Sequence, residues 1–212
     1  MISDKETQIL VEKMKHEMND VVIDLRCDMT IPYIMEKIDQ INQELSIEKG
    51  YEVIEFSKWR IKSPESIVKK LLRRNVEPTF ENAMKCLNDI VGIRVVTFLY
   101  EDIYSVVDRI KQIEGIHIRK VKDFVKHPKP SGYRSVHVIV DLVLGEETIG
   151  MEIQIRSAAM NYWSVLQHMI FYKSEKSGAN MEAIERELEK CSKDIAQIDK
   201  RMRKMHDLID QM

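Results

Sequence analysis

The segment Gly150-Met151-Glu152-Ile153-Gln154-Ile155-Arg156 alternates apolar and polar residues with a period of two. In a strand, that period puts Met151, Ile153 and Ile155 on one face and Glu152, Gln154 and Arg156 on the other. A solvated outer face shows the same alternation, and taken alone the pattern favours that simpler reading. The neighbouring segment shifts the balance. VHVIVDLVL (136–144) and TIGMEIQIR (148–156) are linked by Gly145-Glu146-Glu147, which reads as a hairpin. A register that keeps Val136, Val138 and Val140 in the core sets His137 beside Glu152, Gln154 and Arg156. Arg94, in GIRVVTFL (92–99), is placed to join them. Gly132, Tyr133 and Arg134 lie just before His137, and the glycine permits close approach of backbone to ligand. A carboxylate, an amide, a guanidinium, an imidazole and a phenol on one patch are costly to gather for packing alone. They suit a nucleotide, which needs stacking, phosphate clamping and a carboxylate for a metal or a proton.

Charge points the same way without deciding the matter. The formal net charge is −2, so no global basicity marks a nucleic-acid binder. Lys58, Arg60, Lys62, Lys69, Lys70, Arg73 and Arg74 nevertheless cluster around the lone acid Glu65, and Arg119, Lys120, Lys122, Lys126, Lys129 and Arg134 around Asp123. Two such clusters in a mildly acidic chain fit a compact polyanion held in one cleft. Two solvated faces would give the same runs of charge.

The elements that position these residues read as a mixed α/β domain with helical extensions at both ends. Residues 1–49 form two helices, the first with Leu10, Met14, Val21 and Leu25 on one face. The second carries Ile34, Ile38, Ile41 and Leu45, with Pro32 marking a break near its start. Ser63-Pro64-Glu65 opens a third helix by capping, first-turn proline and dipole complement. Thr79 caps a fourth helix ending near Asn88, and another helix runs from Asp102 to Ile113. HIRKVKDFV (117–125) alternates as a strand, PKPSGYRS (128–135) is a loop, and a helix passes through Trp163, a core anchor, and Tyr172. Finally Ile184, Leu188, Cys191, Ile195, Ile198, Met202, Met205, Ile209 and Met212 alternate spacings of four and three. That is a helix-packing seam of about four heptads, and its length favours pairing between subunits over burial in its own domain.

At 212 residues, 44% hydrophobic and 32% charged, the composition is that of an ordinary globular protein with a real core. No run of about 18 apolar residues suggests a membrane span, and the charged start lacks a signal-peptide core. Cys27, Cys86 and Cys191 form no CxxC pair, so they are expected to be reduced, mostly buried thiols. A cytoplasmic location follows as an expectation.

Four motifs now stand in order: Arg60-x-Lys62-x-x-x-Ser66, Asp89-Ile-Val-Gly-x-Arg94, Ser131-Gly-Tyr133-Arg134-Ser135-x-His137 and Glu152-Ile-Gln154-Ile-Arg156, followed by Trp163 and His168. Together they resemble the synthetase domain of the Rel-type stringent-response enzymes, and the length and flanking helices resemble the single-domain small alarmone synthetases. Any one motif is weak; the ordered set, with its Asp89–Glu152 pair, is specific. The resemblance implies a mixed-sheet, nucleotidyltransferase-like synthetase domain over 50–175, with a helical extension over 1–49 and an oligomerisation helix over 176–212. It implies a GTP diphosphokinase that moves pyrophosphate from ATP to the 3′-hydroxyl of GDP, GTP or GMP with release of AMP.

By the same resemblance, Asp89 and Glu152 would hold Mg²⁺, and Glu152 would help deprotonate the acceptor hydroxyl. Arg60 and Arg94 would sandwich the adenine, while Lys62, Ser66 and Lys69 would meet ATP. Tyr133 would stack on guanine and His137 would steady the acceptor's phosphates. Lys120, Lys129, Arg134, Gln154 and Arg156 would supply supporting contacts to the guanine nucleotide. Relatives imply a homotetramer; DNA and membrane partners are not expected, and RNA is left open without being indicated. Val91, Ser157 and Gln167 depart from the usual alanine, threonine and glutamate, the last removing a charge near the site. His206-Asp207 has no partner histidines in the sequence nearby, so it reads as solvated helix surface and no hydrolase activity is expected.

Two other readings compete. Another nucleotidyl transferase with the same carboxylates would release pyrophosphate, and a nucleotide- or RNA-sensing module would bind without turnover. Tyr133 within SGYRS favours a purine acceptor over the first, and carboxylates amid cations disfavour the second.

Overall fold

β-branched residues concentrated in five segments form one mixed sheet, which the computed structural model orders β1-β2-β5-β4-β3. The structure describes residues 4–20, 23–144, 147–177 and 180–210, and their side chains except 20, 23–29, 144, 147, 172–177, 209 and 210. The strands are β1 (Ile54–Ile61), β2 (Val91–Thr97), β3 (Ile116–Asp123), β4 (Val136–Leu144) and β5 (Glu147–Ser157). The helices are α1 (Asp4–Asp20), α2 (Ile23–Lys49), α3 (Pro64–Arg73), α4 (Phe80–Cys86), α5 (Asp102–Ile110), α6 (Ala158–Ser177) and α7 (Met181–Asp210). β2 runs parallel to β5, and the other neighbours are antiparallel. The mixed α/β fold expected from the sequence is the one observed.

One sheet face is apolar. Ile93, Val95, Val138, Val140, Met151 and Ile153 are essentially inaccessible and share a core with Ile34, Ile38, Ile67, Leu71 and Ile103 from the helices. Each such side chain contributes about 1.5–3 kcal/mol on burial. The stripes of α1 and α2 enter this same core through Met14, Ile41 and Leu45. The side chains of Val21 and Leu25 lie outside the described residues.

Local signals set most helix ends. The Ser63 hydroxyl accepts from the Ser66 amide at 3.4 Å and the Thr79 hydroxyl from the Asn82 amide at 3.2 Å. Gly50 takes φ 76° just after α2, where its amide meets the Ser46 carbonyl. Pro32 does not break the chain as expected: α2 runs through it. A proline there removes one helical hydrogen bond, and the burial of Ile31, Ile34 and Ile38 around it carries the helix through.

β1 and the cysteines differ from expectation, and the α7 seam divides between inside and outside. No alternation in the sequence marks β1, because an edge strand with a half-exposed Trp59 buries little. In α7, Leu188 of the apolar seam is buried, while Ile198, Met202 and Met205 are exposed by 51%, 52% and 51%. The face that α7 turns inward instead carries Ser192 and Asp199, both buried. Cys191 on the same helix is exposed and Cys86 half-buried, so the described thiols are not a buried set; Cys27 lies outside the described side chains. Gly145 and Glu146 also lie outside the described residues, but Leu144 pairs with Glu147 as a hairpin requires.

Candidate active site

The second sheet face is polar, and strand register builds it. β4 and β5 align His137 with Gln154, β2 and β5 align Arg94 with Gln154, and β1 and β2 align Lys58 with Arg94 and Arg60 with Gly92. Residues directly opposite in a sheet share a face, so four strands deliver these groups to one surface. Asp89 enters from the turn before β2. The result is a cleft of about 180 Å³ lined by Lys58, Arg60, Asp89, Arg94, Glu152 and Gln154, among others.

A continuous chain of hydrogen bonds crosses this face. Tyr133 Oη lies 2.9 Å from His137 Nε2, and His137 Nδ1 lies 2.9 Å from Glu152 Oε1. Gln154 Nε2 donates to Glu152 Oε2 at 3.1 Å, and Arg156 Nη2 donates to Gln154 Oε1 at 3.0 Å. A carboxylate can only accept, so Nδ1–H donates to Glu152, and Nε2 is left facing the Tyr133 hydroxyl. Burial pushes the Glu152 carboxyl up, but the hydrogen bond and charge of His137, with Gln154, outweigh it; the group sits below the ordinary carboxylate range. Glu152 is therefore an anion at neutral pH.

Asp89 is held differently. Its Oδ2 accepts from Lys70 Nζ at 2.8 Å and Lys62 Nζ at 3.0 Å. Its Oδ1 is buried with no hydrogen-bond partner. Burial raises this carboxyl also, and the two ammonium groups bring it below its usual value. Asp89 in turn raises Glu152 by charge repulsion, so the two carboxylates sense one another across the cleft. Among the described residues no group of three or more His, Cys, Asp or Glu side chains could cage a metal. Two carboxylates, one with an unpartnered buried oxygen, fit Mg²⁺, which keeps waters and substrate phosphates as its other ligands.

Arginine supplies the positive wall. Arg156 is 1% exposed, and its Nε and Nη1 lack partners, as does Arg94 Nε. Burial lowers Arg156 to about 10, with Tyr133 opposing and Arg94 and Arg60 adding to the fall. It remains a cation with donors to offer an anion. Beyond His137, Lys129 Nζ lies 4.8 Å from the ring centres of both Phe124 and Tyr133. Lys120 is exposed on β3, opposite Ile139.

Some residues singled out in the sequence sit elsewhere. Lys69 lines a separate groove against α1, with Glu12, Leu72 and Arg73. On α3 it is Lys70, not Lys69, that joins Lys62 at Asp89; the sequence marks Lys70 only as one member of a basic cluster. Helical spacing alone does not separate the two, since residues three and four positions beyond Ser66 are both its neighbours on a helix. Arg134 is committed to the protein itself: Nη1 donates to the Val125 carbonyl at 3.1 Å and Nε to Ser192 Oγ at 3.4 Å. Ser66 is exposed at the start of α3, its hydroxyl 3.1 Å from that of Ser63. Trp163 is buried and donates to the Leu188 carbonyl at 2.9 Å, as a core anchor would. His168 is exposed on α6. The His206-Asp207 pair is not simply solvated. The His206 ring meets Tyr51 edge-on at 4.4 Å, and Asp207 accepts from Arg203 at 3.3 Å.

A polyanion cleft over a mixed sheet, with two carboxylates set among arginines and lysines, is the site of an α/β enzyme domain that handles nucleotides. The model of the region found in RelA and SpoT proteins matches residues 59–177. GTP pyrophosphokinase YwaC of Bacillus subtilis is 43% identical over 141 residues, covering 65% of this chain and 67% of that protein. GTP pyrophosphokinase YjbM of the same organism is 31% identical over 170 residues, covering 78% of each. The crystal structure of small alarmone synthetase 2 from Bacillus subtilis matches with TM-score 0.74 at 34% identity, covering 86% of this chain and 95% of that one. Small alarmone synthetase 1 from the same organism, bound to its product pppGpp, matches in fold with TM-score 0.78 at 24% identity, covering 90% and 97%. The chain belongs to the RelA/SpoT family.

Proposed function

We propose that this enzyme transfers the β,γ-pyrophosphate of ATP to the 3′-hydroxyl of a guanine nucleotide, GDP, GTP or GMP, releasing AMP and making (p)ppGpp for stringent-response signalling. The observation that carries the reading is the placement of Glu152 between two differently equipped halves of one surface. On one side, Arg60 and Arg94 offer guanidinium planes to a base, and Lys62, Lys70 and Ser66 offer donors to phosphates. On the other, Tyr133, His137 and Lys129 offer a ring, an imidazole and an ammonium to an acceptor nucleotide.

In the transfer, the acceptor 3′-oxygen bonds to the β-phosphorus as the bond from that phosphorus to the α,β-bridging oxygen breaks. The hydroxyl proton leaves to Glu152, which His137 and Gln154 hold as an oriented anion. Arg156, buried beside Gln154, places fixed positive charge where charge develops, without reorganisation. Asp89 and Glu152 would hold Mg²⁺, which when bound neutralises phosphate charge. Arg134, turned to Val125 and Ser192, holds the loop more than the ligand.

The same reading takes residues 50–175 as the catalytic unit and 1–49 as a helical segment packed on it. It takes 176–212 as the oligomerisation element of a homotetramer, supported by the exposed Ile198, Met202, Met205 and Leu208. We place the enzyme in the cytoplasm; no described helix is long and apolar enough to cross a membrane. Incubation of the purified chain with ATP, Mg²⁺ and each guanine nucleotide tests the function. AMP formed only with an acceptor present supports it, and pyrophosphate release with a nucleotidylated product overturns it.

A further inference from the structure

Beside Leu188, the inward face of α7 carries two buried polar side chains, Ser192 and Asp199, which packing alone does not call for. Buried hydroxyls and carboxylates cost stability unless each finds a partner, and these do so at the borders of the active site. Ser192, 3% exposed, donates to the Gly132 carbonyl at 2.5 Å, and its oxygen accepts from Arg134 Nε at 3.4 Å. Asp199, 8% exposed, accepts from Ser157 Oγ at 2.7 Å, at the end of the strand that carries Glu152. The Leu188 carbonyl takes the Trp163 indole proton, which ties the same stretch of α7 to α6.

Gly132 shows how closely the loop lies on the helix. Its φ is +87°, and an added Cβ would come within 2.8 Å of Ser192 Cβ and 3.1 Å of Glu189 Cα. The next residue is Tyr133, whose hydroxyl faces His137. The Gly132 amide closes a turn on the Lys129 carbonyl at 2.8 Å, and the Lys129 amide meets the Tyr133 carbonyl at 3.2 Å. Gly132, at the centre of the loop, is thus held by Ser192, from a helix that does not line the cleft.

We propose that α7 is a strut for the acceptor loop and that Ser192 is a positioning residue, holding Gly132 so that Tyr133 is presented to the guanine base. The inference rests on the reading of Tyr133 as the acceptor's platform. Freeing the loop lowers the fraction of enzyme competent for the acceptor, so the acceptor's apparent affinity falls while ATP, bound on the far side of Glu152, is unaffected.

The test compares Ser192→Ala, Gly132→Ala and Tyr133→Ala in the full-length protein, varying GDP and ATP separately at saturating co-substrate. Loss of one buried hydrogen bond should raise the KM for GDP about tenfold in Ser192→Ala, with kcat and the KM for ATP within about twofold of wild type. Gly132→Ala, which disturbs the contact from the loop side, should show the same split. Equal rises in both KM values, or an unchanged KM for GDP beside a raised one in Tyr133→Ala, would overturn the strut alone. An unchanged KM for GDP in Tyr133→Ala would overturn the acceptor assignment beneath it. Failure of both Ser192→Ala and Gly132→Ala to fold would also overturn the strut, since α7 would then be only a core element.

Discussion

His137 and Glu152 are not register partners, yet their side chains meet, with Nδ1 of the imidazole 2.9 Å from Oε1 of the carboxylate. The register aligns His137 with Gln154, and the contact runs diagonally along the sheet to the next residue on the same face. It fixes the orientation of Glu152 and leaves the opposite ring nitrogen to Tyr133. The proposed base is therefore positioned by the strand that leads out of the acceptor loop.

Glu152→Gln preserves shape and an acceptor for His137 but removes the base. Turnover, read as AMP release, should fall by about a thousandfold. ATP binding, read by titration calorimetry, should stay within a few-fold of wild type. Wild-type-like turnover would overturn the assignment.

Tyr133→Ala should raise the KM for the guanine nucleotide by about tenfold or more, the scale of one lost base stack. Tyr133→Phe keeps the ring and loses only the hydroxyl facing His137. Its KM should stay near wild type; a loss equal to that of alanine would mean that the hydroxyl, not the ring, carries the effect.

Lys69 and Lys70 separate two surfaces of one helix. Lys70→Ala removes one of the two ammonium groups on Asp89 and should lower kcat/KM for ATP by about tenfold or more. Lys69→Ala, in the groove against α1, should stay within about twofold. Equal effects would contradict this placement of α3.

Asp199 gives a pH signature in stability. Burial raises its carboxyl, with Ser157 and Arg134 opposing, so its folded value lies above that of an unfolded aspartate. Between those two values the folded state binds more protons than the unfolded, and stability falls as pH rises through the window. Asp199→Asn, which keeps an acceptor for Ser157, should raise Tm at neutral pH, with the gain shrinking as pH falls toward 4. A Tm difference independent of pH would show that the carboxyl is not perturbed as described.

Strand alternation was the most readable signal. Val136, Val138 and Val140 in the core force His137 to the face of Glu152, Gln154 and Arg156, and the observed register has them there. The caps at Ser63 and Thr79 were equally legible, because each is a local side-chain-to-backbone contact. Asp89 was not readable from spacing, since a turn residue has no periodicity to betray its direction; only the family resemblance singled it out. β1 was silent because an edge strand need bury little. The apolar seam of α7 was legible, but not its docking: Leu188 turns inward and Ile198, Met202 and Met205 outward, while the polar contacts of Ser192 and Asp199 have no periodic signature.

In the proposed mechanism Asp89 and Glu152, from separate elements, serve one divalent ion. Titration of Mn²⁺, a paramagnetic stand-in for Mg²⁺, into the enzyme with a non-hydrolysable ATP analogue measures this directly by electron paramagnetic resonance. Asp89→Asn and Glu152→Gln should each weaken Mn²⁺ binding by about tenfold or more, and the double variant should be little worse than either single one. Binding that survives both substitutions unchanged, or losses that simply add as for independent sites, would contradict the account.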